Sequence, residues 1–137
     1  MLVSLAPAAL VAAVAFAAGP TAAAAKEGVV ARVLTPIARD TRPGTAITIV
    51  WTLSYVDETG TRRPFGSAAI FVRLLGPGDS RSPRVYGAEV RRGRFRATVR
   101  VPRGGVRKLE IGLMGTRCAA RCRSAPMHFP IVGDPFR

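Results

Sequence analysis

The stretch Ile47-Thr48-Ile49-Val50-Trp51-Thr52-Leu53-Ser54-Tyr55 decides the fold. Ile47, Ile49, Trp51, Leu53 and Tyr55 fall on one side of an extended chain, and Thr48, Val50, Thr52 and Ser54 on the other. Large apolar groups at every second residue suit a half-buried strand, and the β-branched neighbours favour the pleated conformation. Working outward, the same two-residue period recurs and no helical period competes with it. Upstream, Val29 to Leu34 reads as a strand ended by Pro36, and Arg39-Asp40-Thr41-Arg42-Pro43-Gly44 as a polar turn. Downstream, Asp57-Glu58-Thr59-Gly60 is a turn whose loop runs to Gly66. Ala68 to Leu75 is the next strand, with Ile70, Val72 and Leu74 inward and Phe71 on the opposite side, open to solvent. Gly76 to Pro83 is a loop by composition.

Arg84 to Arg91 and Arg94 to Val101 flank Arg92-Gly93, and a two-residue turn there places Gly where positive φ costs little. In that register Val90 faces Phe95, Ala88 faces Ala97 and Tyr86 faces Val99, while Glu89 faces Arg96 on the other side. Every pair on the first side is apolar, and a one-residue slip would undo that. After Pro102-Arg103-Gly104-Gly105, Leu109, Ile111 and Leu113 mark a sixth strand. A loop holding both Cys residues follows, then a short strand from Phe129 to Val132, where Pro130 indicates a sheet edge because it has no N–H to donate. About seven strands with regular turns and no helix predict an all-β fold: a single antiparallel two-sheet sandwich of immunoglobulin-like type. A small closed barrel is the rival.

The run Val85-Tyr86-Gly87-Ala88-Glu89-Val90 through Phe95 to Gly105 resembles the C-terminal half of small exported bacterial sandwich domains, the YtkA-like and CopC-like groups. The resemblance covers about a third of the chain and implies the same sandwich fold. Copper-binding members use His and Met ligands, often with a His at the mature N-terminus. Here Lys26-Glu27 occupies that position and His128 is the only His, so copper binding does not come with the resemblance.

Residues 1–25 carry no charged side chain. Leu10 to Ala18 is an apolar core, Gly19-Pro20 breaks it, and Ala23-Ala24-Ala25 offers the small residues that signal peptidase needs. The layout is that of a cleaved secretory signal peptide, with an uncleaved anchor as the alternative. Residues 26–137 then form one domain in an extracytoplasmic, cell-envelope setting. The formal net charge is +13, from 21 Lys and Arg against 8 Asp and Glu. Only Lys26 and Lys108 are Lys. A GC-rich genome explains part of the Arg excess. A surface of this sign also adheres to acidic polysaccharide, phosphate-bearing wall polymer, lipid head groups or an acidic protein. Export argues against nucleic acid as the partner, and peripheral membrane contact stays open.

Arg94, Arg96 and Arg100 share one face of a single strand, with Arg91 and Arg92 at its turn and Arg103 at its far end. Same-face residues lie about 7 Å apart, so the guanidinium groups make a row suited to repeated carboxylates or phosphates. The plainer view is a solvated outer face that keeps the protein soluble. Cys118 and Cys122, with three residues between them, are expected to form a disulfide, with a chain-entropy stabilisation of about 2 kcal/mol. The alternative is a soft metal site from Cys118, Cys122, Met127 and His128. Trp51 and Tyr55 belong to the core rather than to a sugar platform. No Gly-rich phosphate loop, paired carboxylates or nucleophile elbow is present, so no enzyme and no cofactor are expected. The expected role is a non-catalytic module that binds an anionic envelope component or acidic protein through its Arg face. A metal chaperone and a purely structural assembly domain are the alternatives.

Overall fold

The computed structural model describes residues 28–137. The signal-peptide reading of residues 1–25 and the domain start at Lys26 lie outside the described residues. The chain forms two antiparallel sheets. The first holds β1 (Val30–Val33), β2 (Ala46–Val56), β7 (Arg94–Arg100) and β6 (Ala88–Arg91) in that spatial order, with β3 (Arg62–Pro64) paired to the far end of β2. The second holds β5 (Val85–Tyr86), β4 (Ile70–Leu75), β8 (Lys108–Cys118) and β9 (Cys122–His128). Setting β3 aside, this is the strand order of an immunoglobulin-type sandwich, with the β5–β6 segment contributing to both layers.

The inward residues are those the alternation predicts. Ile49, Trp51 and Leu53 of β2, Ile70, Val72 and Leu74 of β4, Phe95, Ala97 and Val99 of β7, and Leu109, Ile111 and Leu113 of β8 are all buried in one core. Ile47 and Tyr55 pack against its margins. Trp51 stands directly opposite Phe95 and stacks on it, with ring centroids 5.8 Å apart.

The hairpin register differs from the sequence expectation. Arg91 pairs with Arg94, but beyond it a bulge leaves Val90 without a partner, so Glu89 faces Phe95 and Ala88 faces Arg96. Val90 is exposed, and Tyr86 lies in the other sheet opposite Phe71. The cause lies at Gly87. A Cβ there would meet the Trp51 ring edge at 2.7 Å, so the indole occupies the space that a side chain would fill. The Gly87 amide donates to the Ile70 carbonyl at 2.9 Å. The chain therefore crosses from one sheet to the other over the indole, and a straight two-stranded hairpin from Arg84 to Val101 cannot form. An extra residue in one strand is the usual way a ladder accommodates such a bend.

Three further expectations are corrected. The segment expected to be a loop is mostly strand: Cys118 ends β8, Cys122 opens β9, and only residues 119–121 turn between them; β8 runs past its last β4 partner at Leu113, so Met114–Cys118 have only β9 as ladder partner. Phe129–Val132 is not a strand; it makes a single parallel bridge, Ile131 to Ala31, and Ile37 and Phe136 make another, which covers the outer edge of β1. Phe71 is fully buried although it faces outward. It lies over Gly112, where a Cβ would come within 2.6 Å of the ring, with the Arg84 guanidinium 5.3 Å from the ring centroid and His128 edge-on at 5.9 Å.

Ala69 turns the chain into β4 with φ of +60°, the only positive value at a non-Gly residue among the described residues. Left-handed backbone strains Ala by about 1–2 kcal/mol, more than the unfolded-chain freedom a Gly adds. Ala69→Gly is expected to stabilise the domain by about 0.5–1 kcal/mol, read as a higher urea midpoint at unchanged slope.

Candidate functional site

The outer face of the first sheet is built by four strands, with arginines on β1, β7 and β6 and hydroxyl-bearing residues on β2. In β7, Phe95, Ala97 and Val99 point into the core, so Arg94, Arg96, Thr98 and Arg100 point out. Register places Thr52 beside Arg94, Val50 beside Arg96 and Thr48 beside Thr98, where the two hydroxyls lie 3.2 Å apart. One strand outward on either side, Arg32 of β1 stands opposite Thr52 and Arg91 of β6 opposite Arg94. Arg32, Thr52, Arg94 and Arg91 thus form a row across four strands spaced about 4.8 Å apart.

The six arginines singled out from the sequence divide into groups. Arg91, Arg92 and Arg94 line a depression of about 440 Å³ at one end of the face. Arg96 stands alone beyond it. Arg100 donates to the Gly44 carbonyl at 2.7 Å and, with Arg103, borders a second depression that also contains Asp79. The expected stripe is therefore present as alternation, but its two ends differ in chemistry.

The first depression gathers cations from four strands and a turn. Thr52 and Ser54 form its floor with Arg94, and Val30 and Arg32 flank one side. The β6–β7 turn and β3 close the other side, where Pro64 fills the space beside Gly93. Arg62 reaches over the face and donates to the Ser54 hydroxyl at 3.0 Å. Arg94 Nε is shielded from solvent and has no hydrogen-bond partner. An unpartnered charged donor held out of water is costly.

No carboxylate lines the depression. The sequence places Glu89 opposite Arg96, where it would neutralise part of the row. The Val90 bulge turns it to the other side of β6, where its carboxylate accepts from the Gly93 amide at 3.0 Å. Asp57 is also committed elsewhere. It accepts from the Thr59 hydroxyl at 2.6 Å, the amides of Thr59 and Thr61, and Arg63 Nε at 2.8 Å. The Thr59 hydroxyl foremost, with Arg63 and the Thr61 amide, holds this carboxyl well below the usual carboxylate range. The pairing draws off Arg63 alone of the six arginines lining the depression, leaving five.

Arg32 and Arg62 were not among the residues picked out from the sequence. Arg32 carries a local signal, since it alternates with Ala31 and Val33 and must face outward. Arg62 carries none, because β3 lies within what reads as an open loop. Neither pairing partner is legible without the register of β2.

The soft-ligand set is not brought together. Cys118 and Cys122 are joined by a disulfide and close the far end of the β8–β9 pair. Met127 and His128 lie opposite Leu113 and Gly112, about 20 Å away along β9 at the usual rise per residue. His128 instead faces Glu110, with Nε2 and Oε2 3.5 Å apart. Among the described residues no cluster of three or more His, Cys, Asp or Glu side chains is placed to hold a metal ion. Nor, among the described residues, is any helix long and apolar enough to cross a membrane. Comparison with protein-family models, curated proteins and solved structures found no match.

Proposed function

We propose that the protein is an exported, non-catalytic sandwich module that attaches to an anionic polymer of the cell envelope through the outer face of its first sheet. The observation that carries this reading is the row Arg32, Thr52, Arg94 and Arg91, in which Arg91 pairs directly with Arg94 and Arg32 stands one strand beyond Thr52, on a surface whose nearest carboxylates are turned away or already paired. Like charges this close repel one another in the free protein, and a polyanion relieves that repulsion. The uncharged N-terminal segment and the Cys118–Cys122 bond support an oxidising destination, where disulfides persist.

Replacing Arg94, Arg96 and Arg100 together with Ser tests the reading. These side chains lie on the outer face, so the fold is expected to survive, as judged by an unchanged circular dichroism spectrum. Retention on an immobilised anionic polymer is expected to shift to clearly lower salt. Elution at the wild-type salt concentration would remove the β7 face from the binding surface.

A further inference from the structure

The depression bordered by Arg32, Arg62, Arg91, Arg92 and Arg94 is chemically one-sided. Its charged and hydroxyl-bearing side chains are guanidinium groups and the hydroxyls of Thr52 and Ser54, with no carboxylate, amide side chain or aromatic ring among the lining residues. A sugar ring needs acceptors for its hydroxyls and commonly an apolar plate to stack on. A nucleobase needs an aromatic platform or an edge-reading group. Neither is offered. What matches a cradle of donors is a group that consists of acceptors on every side, and a phosphate is that group: tetrahedral, anionic and suited to the planar fork of arginine.

The setting of the depression defines the rest of the ligand. On the same outer face of β7, Arg96 stands one pleat beyond Arg94, followed by Thr98, whose hydroxyl meets that of Thr48. A single ion would use the cradle and leave that track idle. A linear molecule with phosphates at intervals would use both. We infer that this depression seats one phosphate of a linear phosphate-bearing polymer, with the following phosphate met by Arg96. The inference rests on the proposed attachment to an anionic polymer and specifies its chemistry.

The test compares two soluble polymers at equal charge concentration, sodium polyphosphate and polygalacturonate, by titration of the purified protein. Wild type is expected to bind polyphosphate about tenfold or more tightly than the carboxylate polymer. Loss of one charged hydrogen-bonding partner is worth about a factor of ten. Arg32→Ser with Arg62→Ser is therefore expected to abolish the phosphate preference and leave polygalacturonate binding within about threefold. Arg62→Lys, which keeps the charge and loses the fork, is expected to give an intermediate preference. Arg96→Ser is expected to weaken both polymers alike. Both Arg32 and Arg62 are exposed, and an unchanged melting temperature verifies that the variants fold. Equal affinity of wild type for the two polymers would overturn the phosphate seat and leave the attachment reading standing. A preference that survives Arg32→Ser with Arg62→Ser would place the phosphate elsewhere and overturn the seat. Absence of binding to either polymer at low salt would overturn both.

Discussion

Trp51→Ala is expected to cost about 3–5 kcal/mol, a large part of the stability of a domain this size. The indole is completely buried, stacks on Phe95 and fills the place of the missing Gly87 side chain. Its removal leaves a cavity where the two sheets meet and frees the crossing segment as well. Urea unfolding followed by circular dichroism measures the loss as a fall in midpoint. Trp51→Phe is expected to cost distinctly less than Trp51→Ala, because Trp51 Nε1 makes no hydrogen bond that the smaller ring would forfeit. Gly87→Val attacks the same contact from the other side, and the added Cβ cannot be accommodated without moving the indole. If Trp51→Ala changed the midpoint by less than the effect of an ordinary surface substitution, the indole would not be the packing centre of the sandwich.

The second large effect is expected in salt. Five arginines around the depression are free of carboxylate partners among the described residues. If each releases a counterion from a flexible polyanion, the logarithm of the affinity falls with the logarithm of salt at a slope near −3.5, from about 0.7 per contact. Between about 50 and about 200 mM salt the affinity for polyphosphate is expected to drop roughly a hundredfold. Replacing two of the five with Ser is expected to flatten the slope by about 1.4. Titrations at four salt concentrations give the slope directly. A slope near zero would mean that charge does not drive the association, however many arginines surround the site.

How far the sequence could be read follows from what each signal depends on. Alternation depends only on neighbours in the chain, so the inward sets from Ile49 to Leu53 and from Leu109 to Leu113 were legible, as was the outward row of Arg94, Arg96 and Arg100. Strand partners depend on contacts far apart in the chain. The apolar pairs of Val90 with Phe95 and Ala88 with Ala97 made a self-consistent hairpin, and they lose to the indole at Gly87, a contact no local pattern contains. Phe71 shows the same limit. Its face was read correctly as outward, but its burial depends on Gly112 lying opposite it across a sheet. In β9, Arg123 and Ser124 pair with the part of β8 that runs past β4, so they carry no apolar inward set and the alternation test had nothing to detect. The proposed binding face was half legible for these reasons: its β7 residues share a strand, whereas Arg32 and Arg62 reach it through pairings with β2.

The passage of one unbroken segment between the layers at Gly87 has a mechanical consequence. Val85 and Tyr86 are laced into one sheet and Ala88 to Arg91 into the other, so the layers cannot slide past each other without tearing a ladder. The turn that carries Arg91 and Arg92 inherits that stiffness. A force applied at that turn would be transmitted through this stitch to both layers together, so the sandwich would respond as a single body.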